Sequence, residues 1–285
     1  MADPRTADPA TAVTTAATTS GSRPGSAGEL LRFWRHRRRM SQLDLALTAS
    51  VSTKHLSFVE TGRSHPSRQL LVHLADALSI PLRERNRLLL AAGYAPPHRD
   101  RPFHDRAMQP LRHALTALLT AHEPHPALIV NAHWELVAAN TAADVLFDGV
   151  DPRLLGPPAN LLRLFTHPDG LPRISTATPV CSRPLLERLR RRAHEETDDA
   201  LLDLVTEAEQ HLVAAESRGD GPGWTGDGVM ATFELTTRLG PVRLFTLIAT
   251  LGAPLDVTAA DLAIETFLPA DPQSSARLHA LAAER

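Results

Sequence analysis

Ser41-Gln42-Leu43-Asp44-Leu45-Ala46-Leu47-Thr48-Ala49-Ser50-Val51-Ser52-Thr53-Lys54-His55-Leu56-Ser57-Phe58-Val59-Glu60-Thr61 is the stretch that decides how the chain begins to fold. Ser41 can cap a helix that starts at Gln42, and Asp44 stands at the capping-box position. Leu45 and Ala49 share one helical face, and Ala46 is small enough to let a second helix come close. Ser50 and Val51 then make a turn, and Ser52 caps a second helix. In that helix Leu56 and Val59 point inward. Thr53, Lys54, His55, Ser57 and Phe58 point outward, and Gly62 is a natural C-terminal stop. Two short helices joined by a tight turn form a helix-turn-helix. Its second helix fits the major groove, where side chains near the N-terminus can read base edges.

The outward set suits that task. Lys54 can donate to guanine O6 and N7, while Thr53 and His55 are small or polar readers. The run Arg35, Arg37, Arg38, Arg39, with Arg63 and Arg68 further on, can serve phosphates. Gln42 places an amide donor at a helix N-terminus, itself a place for an anion. Taken alone, the arginine run reads equally as a solvated helix face.

Over all 285 residues, 30 Lys+Arg against 32 Asp+Glu give a formal charge of −2, which conceals an asymmetry. Residues 29–106 carry a net +7 and residues 107–285 a net −9. The basic footprint expected of a DNA-binding module is therefore local. Residues 1–28 are rich in Ala, Thr, Ser, Pro and Gly and sum to zero charge, so they are expected to be a disordered tail. Residues 29–95 form the helical DNA-binding domain, and the prolines of 96–106 mark a linker. A helix over 107–122 opens the second domain, which is expected to run to residue 272, with 273–285 a tail or short helix.

The first domain resembles the xenobiotic-response-element (Cro/repressor-like) helix-turn-helix family. Arg35, Ser41-Gln42, Leu45-Ala46, Val51-Ser52, Glu60, Gly62 and Pro66 carry the likeness, from Leu31 to about Ala92. The resemblance implies a lambda-repressor-like all-α fold of five helices and an ion pair between Arg35 and Glu60. One position departs: the turn residue that is commonly glycine in the family is Ser50, which carries a penalty if its backbone is left-handed.

The second domain reads as α+β. Leu128–Val130 and Trp134–Ala139 have hairpin spacing. Thr141–Leu146, Leu161–Phe165, Leu185–His194 and Asp199–Ser217 read as helices, and Gly219–Gly228 as a break. Met230–Thr237, Val242–Leu251 and Ala263–Leu268 read as strands of an antiparallel sheet with helices against one face. Apolar residues on both sides of Val242–Leu251 predict a central, doubly covered strand.

His122 to Asn131, Trp134 to Asn140, Asn160 to Phe165 with His167-Pro168, and Leu244 to Gly252 together resemble the MmyB-like regulators. In these the same helix-turn-helix precedes a PAS-like ligand-binding domain. The resemblance implies a sensor for a small apolar molecule, fatty-acid-like, that changes DNA affinity. Two positions depart from the family pattern: Ile174–Thr178 lacks a tryptophan, and Asn131 stands where an aspartate is usual. Leu128, Val130, Trp134, Val137, Phe147, Phe165, Leu244 and Phe245 are candidate pocket liners, or plain core. Asn140, Arg163 and His167 are candidate polar contacts for a ligand carboxylate, or turn bonds and surface charge.

Enzyme chemistry has no support. The fourteen histidines show no metal-ligand spacing. Cys181, the one cysteine, has no evident His–Asp partner, and no Gly-rich phosphate loop follows a strand. No cofactor or metal is expected. There is no apolar run of transmembrane length, so no membrane partner is expected and a cytoplasmic location is. Partners are double-stranded DNA, a small-molecule ligand and a second copy of the chain, since one module reads one half-site. The alternative is a second domain that docks a protein or dimerises without a small ligand.

Overall fold

The computed structural model describes residues 25–175, 178–196, 198–217 and 231–284, without the side chains of 178–182 and 216. The chain divides into two units, residues 1–109 and 110–285.

The first unit is all-α, with helices α1 (Ala27–Arg37), α2 (Gln42–Thr48), α3 (Thr53–Glu60), α4 (Arg68–Ala77) and α5 (Leu82–Ala91). Serines start four of them. Ser26 and Glu29 form a capping box on α1, Ser41 and Asp44 form one on α2, and Ser52 and Ser67 cap α3 and α4. Helix α1 thus starts inside the segment 1–28 expected to be a tail, of which residues 1–24 lie outside the described residues. Gly28 is buried where α1 crosses α3. A Cβ there would come within 2.9 Å of the Glu60 carbonyl oxygen and closer still to that of Val59.

All five helices end with the same pair of bonds: the first residue past the cap donates to the second-last helical carbonyl, and the second to the third-last. Met40 donates to Arg35, Val51 to Ala46, Arg63 to Phe58, Ile80 to Ala75 and Tyr94 to Leu89. This is the Schellman closure, and it needs a left-handed residue just after the cap. Gly62 and Gly93 supply it at no steric cost, whereas Arg39, Ser50 and Ser79 adopt φ of 54°, 49° and 48°. The turn at Ser50 thus keeps its left-handed geometry and bears the serine penalty, roughly 1–2 kcal/mol. Trp34, Leu31, Leu45, Leu56, Leu71, Leu74, Leu88 and Leu89 fill the core between the helices.

The second unit opens with α6 (Gln109–Ala121). Five antiparallel strands follow: β1 (Ala127–Val130), β2 (Leu136–Ala139), β3 (Phe233–Thr237), β4 (Gly240–Thr250) and β5 (Ala263–Pro269), in the order β2-β1-β5-β4-β3. Between β2 and β3 lie α7 (Asp144–Phe147), α8 (Leu161–Thr166), α9 (Thr178–Glu196) and α10 (Asp199–Ser217). The short α11 (Val257–Ala260) precedes β5, and α12 (Pro272–Ala283) follows it. The last segment, expected as a tail or short helix, is a helix whose Leu278 and Leu281 join the core.

One expectation is corrected. The central strand is β5, not β4. Strand β4 lies second from the edge, and only one of its faces, with Val242 and Leu244, is buried. On its other face Leu247 is 53% exposed. The apolar residues on both sides of that strand mark one packed face and one open face. The expected break at Gly219–Gly228 and the start of the strand expected from Met230 lie outside the described residues.

Candidate functional site

In the first unit, Thr53, Lys54 and His55 stand exposed on the first turn of α3, with Ser57 and Phe58 half-buried behind them. Leu56 and Val59 turn into the core and hold the helix by its opposite face. The Lys54 ammonium lies 5.8 Å from the centre of the Phe58 ring, so its stem follows the helix surface. Arg63 and Arg68 are exposed beyond the C-terminus of α3.

Behind that face sits a buried ion pair. Arg35 of α1 donates from Nε to Glu60 Oε1 at 2.7 Å and from Nη2 to Glu60 Oε2 at 2.9 Å, while its Nη1 donates to the Met40 carbonyl. Gln42 donates its amide to Glu60 Oε2 at 2.9 Å. Burial alone would raise the Glu60 carboxyl. The bonds from Arg35 and Gln42 and the Arg35 charge outweigh it and hold the group below the ordinary carboxylate range. The pair ties the end of α3 to α1 and α2, and so sets how α3 is presented.

One sequence expectation narrows here and another changes. Gln42 gives one amide hydrogen to Glu60, which leaves the other for a phosphate. The arginine run is not one phosphate-binding strip. Arg35 is consumed by Glu60, and Arg38 donates to the carbonyls of Leu78 and Ser79, closing the end of α4.

In the second unit the core face of the sheet gathers Leu128, Val130, Trp134, Phe165 and Leu244, with Phe147 packed at its margin. Phe267 on β5 meets Phe165 and Phe233 edge-on at 6.2 and 6.0 Å between ring centres. Val137 and Phe245 do not belong to this cluster. Phe245 follows Leu244 in β4 and must face the opposite side of the sheet. Val137 sits at the irregularity in the β1–β2 register, where Val130 pairs Leu136 and Ile129 pairs Ala138.

The three polar candidates are also reassigned. Asn140 accepts from the amides of Ala127 and Ala143 and donates to the carbonyls of Leu119 and His125. Its hydrogen-bonding capacity is full, so it locks the chain between α6, β1 and the turn before α7. Arg163 is half-exposed and makes a two-pronged pair with Glu207, at 2.9 Å for each bond. His167 accepts from the Asp169 amide and lies edge-on to His211. None of the three supplies a buried donor. Asn131, the departure from aspartate, accepts from the amides of His133 and Glu135 and donates to the Glu135 carboxylate. An aspartate could not make that last bond.

Comparison with known proteins closes the question of family. Residues 26–88 match the helix-turn-helix domain model, and residues 111–281 match the MmyB-like transcription regulator ligand binding domain. The chain belongs to the MmyB-like transcription regulators. It therefore joins a DNA-binding helix-turn-helix to a domain of ligand-binding type. No curated protein matches it. Among solved structures, an RNA-binding light-oxygen-voltage receptor is similar at a TM-score of 0.26 and 12% identity, over 90% of this chain and 63% of that one. At that score the likeness carries no argument. The chain spans about 63% of that receptor's length. Among the described residues no helix is long and apolar enough to cross a membrane, and no three His, Cys, Asp or Glu side chains are placed to hold a metal ion.

One functional candidate escaped the sequence reading. Glu265 is buried at 3% exposure in the middle of β5. Its signal was a single acid inside the β-prone run Ala263–Leu268.

Proposed function

We propose that the chain is a sequence-specific DNA-binding transcription regulator that acts as a homodimer in the cytoplasm. Its second unit senses a small apolar, fatty-acid-like ligand. The observation that carries the DNA reading is the exposed first turn of α3, backed by the Arg35–Glu60–Gln42 cluster that fixes its presentation. Thr53, Lys54, His55, Ser57 and Phe58 face the bases, and Arg63 and Arg68 reach phosphates. One such helix reads a half-site, so two copies bind a two-fold operator. Leu128, Val130, Trp134, Phe147, Phe165 and Leu244 form the apolar wall against which the ligand chain lies.

Native mass spectrometry of the full chain, alone and with a duplex from its own promoter region, tests this reading. The expected species are two chains per duplex and a retained small molecule. A single chain on the duplex overturns the dimer, and no complex at low salt overturns the regulator reading. A ligand-free domain that instead retains a protein would favour docking.

A further inference from the structure

The buried polar side chains of the second unit are mostly accounted for. Asn140 is saturated, Asn160 caps α8 and donates to the His133 carbonyl, Thr166 donates to Leu162, and Ser274 bonds Asp271 and the Arg243 amide. Ser175 Oγ and Glu265 are not accounted for, and of the two only Glu265 is ionisable. It is sealed from solvent, and its Oε2 has no hydrogen-bond partner among the described residues.

The register gives its surroundings. Glu265 stands on the central strand, directly opposite Leu128 of β1 on one side and Ile248 of β4 on the other. Residues two apart on a strand share a face, so Ala263 and Phe267 flank it along β5. Leu128, Phe267 and the partly buried Ile248 and Ala263 all belong to the core under the helices. The carboxyl therefore opens into hydrocarbon on the same face as the Phe165–Phe267–Phe233 cluster. Burial pushes it up to about 8, and the charge of Arg188, an exposed residue of α9, lowers it. A buried acid with one oxygen unpartnered in such a place costs free energy on the order of a lost buried hydrogen bond or more. A leucine there would carry no such cost. Folding alone gives no reason for the acid.

A guest that donates gives one. A carboxylate guest would need a buried donor or cation, and Asn140, Arg163 and His167 do not provide it. The apolar face offers a single carboxyl, one O–H donor when protonated and two acceptor oxygens when ionised. An ammonium group brings three donors and a compensating charge, so it can satisfy both carboxylate oxygens at once.

We propose that Glu265 is the polar anchor of the ligand site in the second unit and that the ligand is an apolar amine, its ammonium on Glu265 and its hydrocarbon body along Phe165, Phe233 and Phe267. This rests on the reading of the second unit as a small-molecule sensor and puts an amine where a fatty acid carries its carboxylate.

The test titrates the full chain with decylamine, decanol and decanoate, each below its micellar concentration, by calorimetry. Decylamine should bind tightest. Glu265→Gln keeps the shape and removes the charge, and it should weaken decylamine by about 30-fold or more, the loss typical of one partner of a buried charged pair. Its affinity for decanol should change far less. Glu265→Leu should melt higher than the unliganded wild-type chain, which shows that the site is dispensable for folding. Equal affinity of wild type and Glu265→Gln for decylamine overturns the proposal. Decanoate binding in preference to decylamine overturns the amine and leaves the sensor reading standing. Binding of none of the three probes overturns both.

Discussion

Arg35→Met should cost the first unit a substantial share of its stability. The substitution removes both guanidinium bonds to Glu60, at 2.7 and 2.9 Å, and the bond to the Met40 carbonyl. Glu60 keeps only the Gln42 amide while remaining buried. Breaking a buried pair in this way typically costs about 3–5 kcal/mol. A domain of this size holds roughly 5–15 kcal/mol in all. Arg35→Met with Glu60→Met should recover most of the loss, since replacing both partners by hydrocarbon is commonly neutral or stabilising by about 1–4 kcal/mol. Trp34 is buried on α1 and reports this unit alone once Trp134 and Trp224 are changed to Phe. Urea unfolding followed by its fluorescence gives the three free energies. The pH arm has a definite sign. Glu60 is held below its ordinary value of 4.5 when folded, so its contribution is present above that value and is lost as pH falls through the lowered one. The double variant should lack that loss. A cost below about 1 kcal/mol for Arg35→Met would place the pair with ordinary surface bridges and refute the reasoning.

Three further outcomes follow from local geometry. Gly28→Ala should destabilise the first unit by about 1–3 kcal/mol, because its Cβ meets the Val59 and Glu60 carbonyls, and unfolding by Trp34 fluorescence measures it. No loss would mean that α1 and α3 separate easily. Ser50→Gly should stabilise the same unit by about 1 kcal/mol through relief of the left-handed turn, and a lower melting temperature would contradict that. Lys54→Ala should narrow the gap between operator and single-base variants by about 1–3 kcal/mol at one position, read by fluorescence anisotropy. A uniform loss across all sequences would make Lys54 a phosphate contact.

The first unit was legible in the sequence because its signals are local. A serine at a cap and a glycine after a helix act through bonds to backbone a few residues away, and the capping boxes fall at fixed spacing. Ser26 with Glu29 carries the same signature as Ser41 with Asp44, but it follows an Ala/Thr/Ser-rich stretch whose composition masked it. The roles of Gln42 and Arg38 were not legible, because their partners, Glu60 and the end of α4, lie 18 and 40 residues away. In the second unit the strands were visible but their order was not. Phe245, Leu247 and Ala249 make one face of β4 as apolar as the other, although that face is largely open. The alternation in Ala263–Leu268 puts Glu265 with Ala263 and Phe267, and Thr266 with Ile264 and Leu268, so neither face is wholly apolar and the burial of the acid leaves no mark in the pattern. Asn140 looked like a ligand contact because a polar residue beside apolar strands fits either role; only its four backbone partners decide.

The central claim is that α3 of this chain reads a specific DNA sequence. Fluorescence anisotropy with a duplex from its own promoter region and a scrambled duplex of the same composition, each across a salt series, tests it most directly. The account predicts an affinity for the promoter duplex at least about a thousandfold above the scrambled one, with both falling as salt rises. Equal affinity for the two duplexes at every salt concentration would contradict it.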